Sequence, residues 1–311
     1  MKISVVIPVY NEEGNLRPLF DELSSVMQKN YAEFEAIFVD DGSTDSSLDI
    51  LKDLRKSNSS IKIIEFEGNF GQTDAIQAGL DYAKGDIIVT MDSDMQNDPK
   101  DIPRLINELE SSGSDMVSGW RNNRQDDVFK RMFSGLASKL RSVFLGTDLH
   151  DYGCTLKAFN RKSAKSLNLN GEMHRYIPPL LKRNGYNVSE IKVNHRERYS
   201  GETSYGLRRL PKGFVDMINV WFWKTYDGRP LHVFGGLGLF SMFSGGLFFL
   251  LAIYQKLNGT TFTDTAATTL SVFLILIGVQ FFISGILADI AIRNGRNSSG
   301  KPVYNVKEII E

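Results

Sequence analysis

The sequence predicts an α/β fold: a mostly parallel sheet with helices on both faces, followed by an interfacial helix and two C-terminal transmembrane helices. Three observations carry this. Strand-like and helix-like segments alternate through residues 1–120. The strand-like segments are short, apolar and rich in Ile and Val, as in a parallel sheet covered on both faces. Two later runs, residues 230–255 and 265–288, contain no Asp, Glu, Lys or Arg. Each is long enough to cross a hydrocarbon layer of roughly 30 Å as a helix.

Taken in order, residues 2–10 read as a strand and 12–29 as a helix. A strand at 35–40 and a helix at 44–56 follow. Next come strand 61–66, helix 73–83, strand 86–91, helix 99–111 and strand 115–118. Residues 126–145 read as an amphipathic helix, with Lys130, Arg131, Lys139 and Arg141 among Phe129, Met132, Phe133, Leu136 and Leu140. Residues 155–159 and 188–193 read as further strands. Residues 208–223 mix basic residues with Phe214, Trp221, Phe222 and Trp223. They suit a helix lying on a bilayer with tryptophans at headgroup depth, or one packed on the N-terminal domain. The expected organisation is a domain at 1–205, an interfacial helix and linker at 206–229, and two spans within 230–292 (about 231–254 and 266–288). A tail at 293–311 completes the chain.

Charge places these parts. Arg208, Arg209, Lys212, Lys224 and Arg229 precede the first span, and Arg293, Arg296, Lys301 and Lys307 follow the second. The loop between them carries only Lys256 as a basic residue. By the positive-inside rule, the N-terminal domain and the tail are both cytoplasmic. Gly235, Gly236, Gly238, Gly245 and Gly246 permit close packing of the first span on the second or on another protomer. Asp289 and Arg293, one turn apart, are expected to pair. The formal net charge of the 311 residues is -1, which provides no basic field for nucleic acid. A single cysteine, Cys154, excludes an intrachain disulfide and fits a reducing compartment. The N-terminal apolar run is short and broken by Pro8, unlike a signal peptide.

In open α/β sheets, ligands bind outside the carboxyl ends of the strands. Tyr10-Asn11-Glu12 follows the first strand, Asp40-Asp41-Gly42-Ser43 the second, and Asp92-Ser93-Asp94 the fourth. All three groups therefore belong on one edge. Two carboxylates in a turn make a hard oxygen site suited to Mg²⁺ or Mn²⁺, and Gln96 can add a neutral oxygen. Magnesium takes much of its remaining shell from water and substrate phosphates, so this pair predicts a diphosphate-bearing substrate. No zinc-type His/Cys cluster and no Gly-x-x-x-x-Gly-Lys-Ser/Thr loop is present. Asp98 before Pro99 has the pattern of a helix N-cap followed by N1.

Four motifs in order now carry a resemblance. They are Val5-Val6-Ile7-Pro8-Val9-Tyr10-Asn11-Glu12, Val39-Asp40-Asp41-Gly42-Ser43-Thr44-Asp45, Asn69-Phe70-Gly71 and Met91-Asp92-Ser93-Asp94-Met95-Gln96. Together they resemble the family 2 glycosyltransferases of GT-A fold, and more narrowly the polyprenyl-phosphate glycosyltransferases. The resemblance runs from Met1 to about Tyr205. It implies that Pro8, Tyr10, Asn11, Glu12, Val39, Asp41 and Ser93 belong to the nucleotide site. It implies that Asp92, Asp94 and Gln96 bind the metal. Arg121 and Arg131 match arginines that receive the lipid phosphate, and Arg198 matches a basic segment near the phosphates. Thr203-Ser204-Tyr205 lacks the lysine usual there, so Arg198 or Arg208 is expected to substitute. Asp151 resembles an acceptor-side acid, serving to position an arginine or the acceptor, or as a base.

The implied reaction is inverting transfer of one sugar from a UDP- or GDP-sugar to undecaprenyl or dolichyl phosphate. It would run at the cytoplasmic face of a bacterial or archaeal cell membrane and give a lipid-linked sugar donor for the cell envelope. The attacking phosphate oxygen is already an anion, so alignment and leaving-group stabilisation matter more than a strong base. A processive polysaccharide synthase would need a Gln-x-x-Arg-Trp motif, which is absent. A non-catalytic membrane scaffold would not need Asp92, Asp94 and Gln96 intact.

Overall fold

The structure is a computed structural model that describes residues 1–121, 149–169, 171, 173–196, 230–259, 261, 266–298 and 304–310, with side chains only to 291 in the last helix. Arg131, Arg198, Arg208, the segment 200–205, and the expected helices at 126–145 and 208–223 lie outside the described residues, as does the Arg293 side chain. Two compact units are distinguished. One holds the N-terminal region together with the C-terminal strand, and the other holds the two long helices.

The first unit is built on strands β1 (Lys2–Val9), β2 (Glu33–Asp40), β3 (Ile61–Phe66), β4 (Ile87–Thr90), β5 (Met116–Arg121), β6 (Lys157–Asn160), β7 (Val188–Val193) and β8 (Val306–Ile310). They form one sheet in the order β7-β5-β6-β4-β1-β2-β3-β8. The pairs β1–β2, β1–β4, β2–β3 and β5–β7 are parallel. β6 runs antiparallel to β4 and β5, and β8 runs antiparallel to β3. Since β6 is reversed twice, β5 points the same way as β4. The carboxyl ends of β1, β2, β3, β4 and β5 therefore share one edge with the amino end of β6.

Helices α1 (Leu16–Asn30), α2 (Ser47–Ser57) and α4 (Ile102–Ser112) cover one face, and α3 (Gln72–Tyr82), α5 (Arg161–Lys165) and α6 (Ile177–Arg183) cover the other. The strand period of two sorts β1 between these layers. Ile3, Val5, Ile7 and Val9 pack with Leu19, Leu23 and Ile106, whereas Val6 packs with Ala75 and Ala78. Both faces are apolar, so the strands read as continuous hydrophobic runs. Asp98 does cap the turn Pro99–Asp101: its carboxylate accepts from the Lys100 N–H at 3.0 Å, with proline next in line. Helix α4 ends at Gly113, whose φ of 65° is left-handed.

Gly42 marks a close approach that shapes the ligand edge. Its φ is +70°, and a Cβ there would lie 2.5 Å from the Gly68 carbonyl carbon. Gly42→Ala is expected to cost at least the roughly 1–3 kcal/mol of a strained left-handed residue, seen as a fall in Tm. Gly68→Ala, whose Cβ would meet nothing within 4 Å, is the control.

In the second unit, α7 (Pro230–Leu257) and α8 (Ala266–Ser298) are both long and apolar enough to cross a membrane. They pack through small residues. A Cβ at Gly238 would meet the Gly278 carbonyl at 2.7 Å, and one at Gly245 the Ser271 carbonyl at 3.0 Å. The Ser241 hydroxyl donates to the Leu274 carbonyl at 2.7 Å. Gly236 and Gly246 have open space instead. Phe240, Phe243, Leu250 and Leu276 are exposed, as side chains that face lipid would be.

Candidate active site

The shared sheet edge gathers the three acidic groups. At the end of β1, Asn11 takes a φ of 56°. Its side-chain oxygen accepts from the Thr44 N–H at 2.8 Å, and its own N–H donates to Ser43 Oγ at 3.1 Å. The Glu12 N–H donates to Ser47 Oγ at 2.9 Å. The loops after β1 and β2 are thus tied to each other. Pro8 and Val39 are buried beneath them and Tyr10 is exposed.

Asp41 is buried and holds a third loop. Its carboxylate accepts from the N–H groups of Phe70 at 2.7 Å and Gly71 at 2.9 Å. Burial nonetheless pushes its pKa up. Asp40 beside it is also buried, with its pKa raised by burial, and has one oxygen without a hydrogen-bond partner.

The turn after β4 is strained at one residue, since Met95 has φ 60°. This left-handed step sits between Asp94, Ser93 on one side and Gln96 on the other. Asp94 Oδ1 accepts from the Gln96 N–H at 3.1 Å. Asp92 is held from two other segments and from within its own turn. Gln72 at the start of α3 donates to Oδ1 at 2.8 Å, Thr155 before β6 donates to Oδ2 at 2.5 Å, and Asn97 accepts its backbone N–H at 2.9 Å. Burial, then repulsion from Asp94, pushes the Asp92 pKa up to about 6. Ser93 and Asp94 are buried.

Arg121, at the end of β5, grips Asp151 with a bidentate fork. Nε donates to Oδ2 at 2.6 Å and Nη2 to Oδ1 at 3.0 Å. The Gly153 N–H adds a 3.0 Å bond to Oδ1. Both Asp151 oxygens are therefore engaged, and the carboxylate is placed to orient the guanidinium. Lys157 is fully buried nearby, and its ammonium donates to the Cys154 carbonyl. Burial lowers its pKa, opposed by Asp92 and Asp151 among its neighbours.

Gln72, Asn97, Thr155 and Lys157 were not singled out by sequence reasoning. Thr155 and Lys157 lie shortly after Asp151, and Asn97 directly follows Gln96; Thr155 and Gln72 reach Asp92 from distant segments, whereas Asn97 and Lys157 bond to near neighbours, Asp92 and Cys154. Arg196 is a further addition. It pairs with Glu22 and Asp98, each at 2.7 Å, and fastens the turn to α1. Among the described residues, no three His, Cys, Asp or Glu side chains form a ready-made metal cage. The candidate donors are Asp92, Asp94 and Gln96, all of which would offer oxygen. That set suits a magnesium-like ion that draws its other ligands from phosphates and water.

This mixed, mostly parallel sheet is of the GT-A type, as its solved neighbours show. Glucosyl-3-phosphoglycerate synthase from Mycobacterium tuberculosis, solved with Mn²⁺, UDP and phosphoglyceric acid, matches it with a TM-score of 0.56 and 22% identity. The match covers 72% of this chain and 78% of that one. The same enzyme solved with Mg²⁺ and UDP gives a TM-score of 0.53 at 20% identity, covering 72% and 79%. Likeness at these identities is one of fold. The model of Glycosyl transferase family 2 matches residues 4–167, and the chain belongs to that family. Dodecaprenyl-phosphate galacturonate synthase of Rhizobium johnstonii is 37% identical, over 100% of this chain and 94% of its own length. Undecaprenyl-phosphate 4-deoxy-4-formamido-L-arabinose transferase of Edwardsiella ictaluri is 33% identical, over 99% and 94%.

Proposed function

We propose that this glycosyltransferase moves a single sugar from a nucleoside diphosphate to a polyprenyl phosphate, with inversion, at the cytoplasmic face of a membrane. The observation that carries this reading is the pairing of two chemistries on one edge. The acids Asp92 and Asp94 share it with an arginine fork, Arg121, held by Asp151. The two relatives carry dodecaprenyl-phosphate and undecaprenyl-phosphate in their names, which supports the acceptor class. The two long apolar helices support a site supplied from the bilayer.

The donor's base and ribose are assigned to Pro8, Tyr10, Asn11, Glu12, Val39, Asp41 and Ser93, with Arg198 near its phosphates. Arg121 is assigned to the acceptor phosphate, which its permanently charged, multi-donor guanidinium suits even with Nε and Nη2 given to Asp151, and Arg131 joins it. Asp151 holds the fork in one orientation. The attacking phosphate oxygen needs no proton removed. Gln72 and Thr155 fix the Asp92 carboxylate, and the strained Met95 turn fixes Asp94. Mg²⁺ or Mn²⁺ held by Asp92, Asp94 and Gln96 would neutralise charge on the departing diphosphate.

The domain assignment is 1–205, 206–229, 230–292 and 293–311. β8 pairs with β3 although two long helices separate them in sequence. This supports an even number of crossings, with the N-terminal domain and tail on one side. Gly236 and Gly246, open on their helix, leave room for a second copy to pack.

Purified protein in detergent is to be incubated with labelled UDP- and GDP-sugars, Mn²⁺ and undecaprenyl phosphate. A labelled, organic-extractable sugar phosphate lipid is expected with at least one donor. Release of free sugar alone, or no turnover with any donor, overturns the reading.

A further inference from the structure

The C-terminal strand does more than cover a sheet edge. β8 pairs antiparallel with β3, from Ile63 opposite Ile310 to Phe66 opposite Val306. Just before it, the Asn305 carbonyl accepts from the Glu67 N–H at 3.1 Å. Lys307 reaches the buried Glu65 carboxylate. The tail is therefore fastened along the run that leads from β3 into the loop 68–71.

Tyr304 stands where this run meets the nucleotide edge. Its ring is buried and stacks on Phe66, with centroids 5.1 Å apart and planes 14° from parallel. Its hydroxyl donates to Asp81 Oδ2 at 2.9 Å, which anchors the ring to α3. Phe66 in turn meets Phe70 edge-on at 5.6 Å and 89°. The Phe70 N–H makes the 2.7 Å bond to Asp41. Aromatic contacts of these geometries are favourable beyond simple burial. A residue at the far end of the chain is thus two ring contacts from the backbone that aims Asp41.

We propose that Tyr304 is a positioning residue for the donor nucleotide. Acting through Phe66 and Phe70, it fixes loop 68–71 and so the Asp41 carboxylate. This rests on the reading that Asp41 holds the nucleotide. It makes the tail a working part of the donor site.

The test uses the full chain in detergent, with Tyr304→Ala, Tyr304→Leu and Tyr304→Phe. Binding of UDP and of GDP, each with Mn²⁺, is measured by calorimetry, and donor and acceptor KM are measured by turnover. Hydrogen exchange is followed at the Phe70 and Gly71 amides without nucleotide. Tyr304→Ala is expected to weaken nucleotide binding and raise donor KM by about 10-fold, the size of one lost buried contact. The acceptor KM stays within about 2-fold on the same scale. Tyr304→Phe keeps the stack and binds within about 3-fold of wild type. Tyr304→Leu keeps the apolar bulk without the stack, and it takes over the alanine's test if that variant does not fold. Unchanged nucleotide affinity in Ala and Leu overturns the proposal, as does a parallel rise in both KM values, which would mark general loosening. If wild type binds neither nucleotide, the reading of Asp41 fails, and faster exchange at Phe70 and Gly71 in Tyr304→Ala shows separately whether the brace exists. Unchanged exchange there removes the brace itself.

Discussion

Asp94→Asn is expected to lower turnover by roughly 100- to 1000-fold, the scale seen when one well-placed electrostatic stabiliser is lost. The substitution removes charge and little else. The amide oxygen can still accept the 3.1 Å bond from the Gln96 N–H, so the strained turn at Met95 keeps its support. A neutral group cannot share a divalent cation's charge as a carboxylate does, and the departing diphosphate then develops its charge against a weaker counterpart. Turnover at saturating Mn²⁺ is the measurement, with Tm as the check on folding. Activity within about 5-fold of wild type, well short of that scale, would remove Asp94 from the site.

The pH dependence follows from the partner acid. Burial and then Asp94 push the Asp92 pKa up to about 6, above the roughly 3.9 of an unfolded aspartate. The folded state therefore favours the proton. Ionised Asp92 costs stability in full above pH 6, and the cost fades as pH falls toward the unfolded value. A divalent cation offsets that cost only where the carboxylates are ionised. Mn²⁺ should raise Tm more at pH 7.5 than at pH 5.5, and Asp94→Asn should flatten the difference. A gain independent of pH would count against a cation between these two residues.

How much of this was legible depended on distance along the chain. The parallel strands showed themselves because both faces are buried, leaving runs such as Ile87 to Thr90 without alternation. Chain direction then sufficed to place Asp41, Asp92 and Asp94 on one edge. Asp98 as a cap was legible because its partner, Lys100, is two residues away. The partners of Asp92 were not, since Gln72 and Thr155 belong to other segments and are ordinary polar residues in isolation. β8 was hidden for the same reason. Val306 to Ile310 is a short stretch carrying Lys307 and Glu308, and only its pairing with β3 makes it a strand. Asp151 was visible as an acid, but its job lies in a contact with a residue thirty positions earlier.

That contact sets the second large effect. Arg121→Lys is expected to lower kcat/KM for the lipid phosphate by about 100-fold, because an ammonium cannot reproduce a bidentate fork. Asp151→Asn is expected to cost less, about 10-fold, in line with the loss of an orienting partner. Its amide can still accept the 3.0 Å bond from the Gly153 N–H, but no longer balances the guanidinium's charge. Arg121 would keep its place with a looser aim. The order of the two losses decides what Asp151 does. If it removed a proton, Asp151→Asn would cost as much as Arg121→Lys or more, and the acidic limb of its pH–rate profile would disappear. If it orients Arg121, the limb remains, and the double variant loses little beyond Arg121→Lys alone, since an orienting residue has nothing left to orient. Both oxygens of Asp151 are already committed, to Arg121 and Gly153. The structure thus favours the second outcome: the acid aims the arginine, and the acceptor's own negative charge makes a base unnecessary.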